Sequence, residues 1–261
     1  MLNALTFTNG RLKYIEESFE EKPSFLIEMD DRSQWISNGC IFVENTEEER
    51  KKLVDEFDCE EELDDLLESE WTTMASVTDA FLMFRGCSNL TSFEADLSSV
   101  IDARAMFRGC SNLTSFEADL SSVTTTIRMF RGCSNLTSFE ADLSSVKDAI
   151  SMFHGCKNLT SFKSNMLSAI NSNLMFSECP NLTSFESYMP SVITAISMFD
   201  GCSNLTSFVS NMTSVENTIR MFRGCSNLTS FKSDMSLSIN TKLMFLGCKM
   251  LPNSTIKKIL N

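Results

Sequence analysis

Apolar residues return along most of this chain at one fixed interval. Read from Leu90 to Asn112, one unit runs LTSFEADLSSVIDARAMFRGCSN, with Leu90, Phe93, Leu97, Val100, Met106, Phe107 and Cys110 as its apolar positions. The step between copies is 23 residues: Met-Phe pairs begin at Met83, Met106, Met129, Met152, Met175, Met198, Met221 and Met244, and the block NLTSF begins at Asn89, Asn112, Asn135, Asn158, Asn181, Asn204 and Asn227. A coiled coil would repeat every seven residues and a helical-hairpin array every ~34 or more, so neither fits. A fixed period without insertions predicts a solenoid, in which each unit buries its apolar face only against its neighbours. Spacings of three or four around the path suit a coil that turns corners. The segment LTSFEAD of the first three units alternates as a short strand would, and stacking in register predicts one parallel β-sheet with coils about 4.8 Å apart. Gly86, Gly109, Gly132, Gly155, Gly201, Gly224 and Gly247 mark a turn of positive φ; Glu178 stands in the same column, so the turn accepts a side chain.

The two ends depart from this pattern. The chain divides into an acidic α+β module over 1–66, a solenoid of about eight coils over 67–251 and a C-terminal cap over 252–261. In the first part LTFTNGRLKYI, around Asn9-Gly10, and QWISNGCIFVE, around Asn38-Gly39, each read as strand, tight turn, strand. Asn45 or Thr46 with Glu49, and Asp58 with Glu61, read as helix starts, with Leu53, Phe57, Leu63, Leu66 and Leu67 as the apolar stripe. A terminal unit that differs from the repeats is what an open solenoid end requires, so the module reads as a cap, or as a docking module. At the far end LPNSTIKKILN predicts one or two helical turns started by Ser254, closing the last coil.

The unit L-T-S-F…S-S-V…M-F-x-G-C-x-N resembles the BspA-like, or Treponema-type, leucine-rich repeat, whose pattern ends in an aromatic residue, a glycine and a cysteine. Phe130, Gly132, Cys133 and the following Leu136 show the match, which spans from about Leu67 to about Leu251. Met before the Phe, and Phe in the strand at positions such as 139, depart from the common form. The resemblance implies a solenoid whose strand-lined face recognises a protein or a surface, often as an adhesin; it implies no enzyme, and its members are commonly exported surface proteins.

Composition narrows the chemistry. The net charge of −13 is unevenly placed: residues 1–82 hold 7 basic and 22 acidic side chains, residues 83–261 hold 15 and 13. Without clustered basic residues over the whole chain, binding to nucleic acid or an anionic membrane is not expected. No apolar run is long enough for a membrane span, and no secretory signal is readable at the start, so the chain reads as cytoplasmic when synthesised. Ten cysteines accompany one histidine, His154. Eight of them, Cys87 to Cys248, share the repeat step, so they read as a buried thiol column. Side chains stacked in register do not point at one another as a disulfide needs. There is no Cys-x-x-Cys, and no cofactor or metal site is expected. The seven Asn-Leu-Thr sequons read as a buried asparagine ladder rather than as glycosylation sites.

Exposed columns carry what functional signal there is. Strand positions after the Phe hold Glu94 and Asp96, Glu117 and Asp119, Glu140 and Asp142, then Lys163, Glu186, Val209 and Lys232. A second column holds Arg85, Arg108, Arg131 and Arg223, interrupted by His154, Ser177, Asp200 and Leu246. Like charges one coil apart repel slightly, so these columns do not drive folding. His154 has no nucleophile in a matching column and no phosphate-binding loop occurs, so no catalytic residue is expected. Two functions follow: a binding protein that presents the strand face, with its Glu94, Asp96, Glu117, Asp119, Glu140, Asp142, Lys163, Glu186 and Lys232, to a protein or cell-surface ligand, or a rigid spacer, for instance in a phage particle or surface assembly, attached through its acidic front module.

Overall fold

The computed structural model describes residues 2–8, 11–17, 41–44, 71–73, 77–88, 90–95 and 97–260. Four strands come first: β1 (Leu2–Thr8), β2 (Arg11–Glu17), β3 (Ile41–Glu44) and β4 (Trp71–Thr73), in the sheet order β3-β1-β2-β4. β1 and β2 are antiparallel with Thr8 opposite Arg11, as the first Asn-Gly turn predicts. β3 joins β1 in parallel and β4 joins β2 antiparallel. The strand expected before Asn38-Gly39 and the two helices expected after Asn45 and Asp58 lie outside the described residues.

The solenoid contributes one short strand per coil: β5 (Ser92–Ala95), β6 (Ser115–Ala118), β7 (Ser138–Asp142), β8 (Ser161–Asn165), β9 (Ser184–Tyr188), β10 (Ser207–Val209) and β11 (Ser230–Lys232). Every pairing is parallel and shifts by one repeat, Phe93 opposite Phe116 and Phe162 opposite Phe185. The expected parallel sheet is divided into segments of two, three and two strands, which abut where β6 meets β7 and β9 meets β10. A second seam runs unbroken from Asp79 through Asp102, Thr125, Asp148, Asn171, Thr194 and Asn217 to Asn240. Between seam and strand, the Met-Phe turn hands its backbone N–H groups to the next coil, as in Phe84 N to Met106 O at 2.8 Å and Gly86 N to Arg108 O at 2.8 Å.

Two phenylalanine columns form the interior. Phe84, Phe107 and Phe130 stack at 5.1 and 5.4 Å, Phe93, Phe116 and Phe139 at 5.6 and 5.9 Å, and the columns meet edge to face. Both arrangements suit the ring quadrupole, and truncating one such buried ring costs about 3–5 kcal/mol. Leucine, methionine, valine and cysteine columns fill the remaining space and are almost wholly buried. The last coil is closed by α1 (Asn253–Leu260), which starts one residue ahead of the Ser254 expected to begin it: the Pro252 carbonyl accepts from Thr255 N and Ile256 N. Ile256 and Ile259 pack against the core.

Two residues per coil adopt positive φ. One is the glycine column, and Glu178 at φ 61° confirms that a side chain fits there. The other was not legible: Leu82, Ala105, Arg128, Ser151, Leu174, Ser197, Arg220 and Leu243 all lie between φ 53° and 60°. No glycine or asparagine marks that column. The turn is over-determined by hydrogen bonds to the next coil, such as Arg128 N to Ile150 O at 2.9 Å, which offsets the steric cost.

Candidate binding face

On each strand the Phe points inward, while the preceding Ser and the following charged residue point out or lie at the surface. Glu94, Glu117, Glu140, Lys163, Glu186 and Lys232 are all exposed and form a single column, interrupted only by Val209. Glu94 lies opposite Glu117, whereas Glu140 lies opposite Lys163 and its Oε1 accepts from Lys163 Nζ at 2.5 Å in an ion pair. That contact holds the Lys163 ammonium above its ordinary value, first through the hydrogen bond and then through charge. The column is therefore acidic over β5 to β7 and mixed beyond.

The neighbouring column behaves differently. Asp119 Oδ1 accepts from Ser121 N at 2.8 Å and Asp142 Oδ1 from Ser144 N at 2.9 Å, and Asn211 and Asp234 repeat the contact with Thr213 and Ser236. These carboxylates serve the turn after the strand and have less capacity left for a ligand. Asp96 lies outside the described residues. The threonine column is also engaged within the fold: Thr114 Oγ1 donates to Thr91 O at 2.8 Å and Thr160 Oγ1 to Thr137 O at 2.9 Å.

The asparagine ladder exists but is not buried. Asn112, Asn158, Asn181 and Asn227 are exposed and Asn135 and Asn204 half-buried. Their amides bond mainly to one another, Asn135 Nδ2 to Asn112 Oδ1 at 3.2 Å and Asn204 Nδ2 to Asn181 Oδ1 at 3.3 Å, with only Asn181 reaching a backbone carbonyl, that of Lys157. The reason is that the corner before each Leu faces outward, so coil-to-coil amide contacts replace the backbone contacts that burial would have required.

The cysteine column is buried from Cys110 to Cys248, half-buried at Cys87, and free of disulfides. Each buried thiol donates to the carbonyl of the Phe of the preceding turn, as in Cys110 Sγ to Phe84 O at 2.9 Å and Cys179 Sγ to Phe153 O at 3.0 Å. Burial pushes Cys133 and Cys179 up to about 12 and Cys248 to about 11, leaving thiols rather than thiolates near neutral pH. His154 is pulled below its ordinary value, by burial first and then by Arg131, against the opposing pull of Glu178, whose Oε2 is 3.9 Å from Nε2. No group of three or more His, Cys, Asp or Glu among the described residues could hold a metal ion. No helix among them is long and apolar enough to cross a membrane.

Comparison with a family model agrees with the repeat geometry. A family model described as "BspA type Leucine rich repeat region" matches in six copies over residues 81–198 and 175–261. Among solved structures, a leucine-rich repeat protein from Bacteroides ovatus is 22% identical, with 65% of this chain and 49% of that chain covered and a TM-score of 0.43. The T. pallidum leucine-rich repeat protein is 19% identical, with 69% and 74% covered and a TM-score of 0.40. This chain thus spans about half the length of the Bacteroides ovatus protein. No curated protein matches.

Proposed function

The chain belongs to the BspA-type leucine-rich repeat family, and from that premise we propose that it is a non-enzymatic binding protein that uses its strand face to recognise a protein or cell-surface ligand, in the manner of an adhesin. Repeat proteins of this family are generally protein-interaction scaffolds. One observation carries the finer reading. The inward Met-Phe, Cys, Leu and strand Phe columns, as at Met106, Phe107, Cys110, Leu113 and Phe116, stay constant from coil to coil while the outward column changes sign, Glu94, Glu117 and Glu140 giving way to Lys163, Glu186 and Lys232. Packing needs only the first; a shaped partner would use the second.

The test is capture from cell-surface extracts by the full chain and by its Glu117→Lys/Glu186→Lys variant. Because both side chains are exposed, the variant should fold and melt as the parent does, while losing about tenfold or more in affinity for the captured protein. Undiminished capture by a folded variant would remove the strand face from consideration. The second reading, a spacer held by its acidic front, is supported by the concentration of negative charge in residues 1–82 and by the position of β2 beside β5. It predicts instead that capture disappears on deletion of residues 1–66 and survives the charge reversals.

A further inference from the structure

The edge of the solenoid formed by the Met-Phe turns carries a charge arrangement that folding does not explain. Arg85, Arg108 and Arg131 follow the Phe of three successive turns, with Arg128 beside them. Arg108 is half-buried, and its guanidinium is pulled below its ordinary value, by burial first and then by Arg85, Arg131 and Arg128, so these cations sense one another. Among the described residues none of the four forms an ion pair. The same column shows that the fold can neutralise a charge here when it needs to. Arg223 is held by Asp200 one coil earlier at 2.7 Å. Three unneutralised arginines in consecutive coils are therefore a stretch left open to an anionic partner, and the guanidinium fork suits carboxylates.

The spacing selects the form of that partner. The phenylalanines preceding these arginines are 5.1 and 5.4 Å apart. An extended peptide lying along the edge would present same-face carboxylates every ~6.7 Å and would drift out of step by roughly 3 Å over two coils. An α-helix rises ~1.5 Å per residue, so side chains at i, i+3 or i+4, and i+7 advance about 5.3 Å each and keep step. We propose that Arg85, Arg108, Arg128 and Arg131 form a rail that docks the acidic face of a partner α-helix. This surface is distinct from the strand face, and the inference stands whether or not that face binds anything.

The experiment is fluorescence anisotropy of the full chain at about 50 mM salt, where exposed charges are weakly screened. The probe is a labelled alanine-based helical peptide of about 18 residues with glutamates at i, i+4 and i+7, compared with an isomer of equal composition whose glutamates are spread around the helix. The aligned peptide should bind about tenfold more tightly than the isomer, and Arg108→Glu/Arg131→Glu should remove that advantage. Should that double variant fail to fold, Arg85→Glu, at an exposed position, is expected to weaken binding several-fold on its own. Lys249→Glu, at an exposed position outside the rail, should leave the advantage of the aligned peptide unchanged. Equal binding of the two peptides, indifference to the arginine reversals in a folded variant, or tighter binding of a sulfated oligosaccharide than of the aligned peptide would each overturn the proposal.

Discussion

Ser172 shows how much one side chain can matter inside a repeat. Its column holds the wholly buried Ala80, Ala103, Ala149 and Ala195, the equally buried Thr126 and Thr218, and at its end the half-buried Thr241. Thr126 Oγ1 and Thr218 Oγ1 each reach a carbonyl of the next coil at 3.4 Å, whereas the buried Ser172 hydroxyl has no partner. A buried polar group without a hydrogen bond costs ~1–3 kcal/mol. Ser172→Ala should therefore raise stability by about 1 kcal/mol, seen as a higher urea midpoint at unchanged slope. A lower midpoint would show that the hydroxyl is satisfied after all. The sequence marks this position as exceptional only through comparison of columns, and it does not say which of the three buried hydroxyls finds a partner. The same limit explains the second positive-φ column. Gly132 announces its φ of 78° through its identity, while Ala105 and Ser151 announce nothing, because their conformation is imposed by bonds to the next coil.

Among the elements, the thiol column gives a pH signature. A buried thiol binds its proton more tightly in the folded chain than in the unfolded one, so the folded pKa is raised. Its contribution is fully present below the ordinary value of 9.0 and is lost as pH rises toward the folded value, about 12 for Cys133 and Cys179. Over that window each such thiol lowers stability by about 1.4 kcal/mol per pH unit. Denaturation midpoints measured between pH 7 and pH 11, a range of about four units, should hold steady to about pH 9 and then fall steeply. Replacing Cys133 by Ala should shallow that fall, and a slope that ignores the replacement would count against the account. The column itself was legible, since its cysteines share the repeat step and lack histidine partners. The bond each thiol makes to a Phe carbonyl 26 residues earlier was not, because it depends on how the turn of one coil sits over the next.

Taken whole, the solenoid is a stack in which each coil touches only its neighbours, so its stability is close to a sum of coil and interface terms. That makes length adjustable in one unit only. Excising the 23 residues from Leu136 to Asn158 rejoins Asn135 to Leu159, keeps every column aligned, and should give a folded chain shorter by one step, between 5.1 and 5.9 Å from the ring stacking. Removing one residue more or fewer shifts every inward column of one half and should abolish the cooperative melt. Circular dichroism and solution scattering read both outcomes; an intact fold after the misaligned cut would contradict the stacked-register description. At this scale the sequence alone determined the solenoid, its period, its parallel register, the inward columns and the closing helix, because a strict repeat leaves apolar side chains only one way to bury themselves. Tertiary contacts alone decided how the outward polar side chains are used. They divide the strand sheet into segments, bring the asparagine ladder to the surface, commit Asp119 and Asp142 to turns, pair Lys163 with Glu140 and Arg223 with Asp200, and leave Arg85, Arg108 and Arg131 without an ion pair among the described residues. The physical reason is that burial is scored residue by residue along the chain, whereas a polar contact depends on which atom of the next coil lies within about 3 Å.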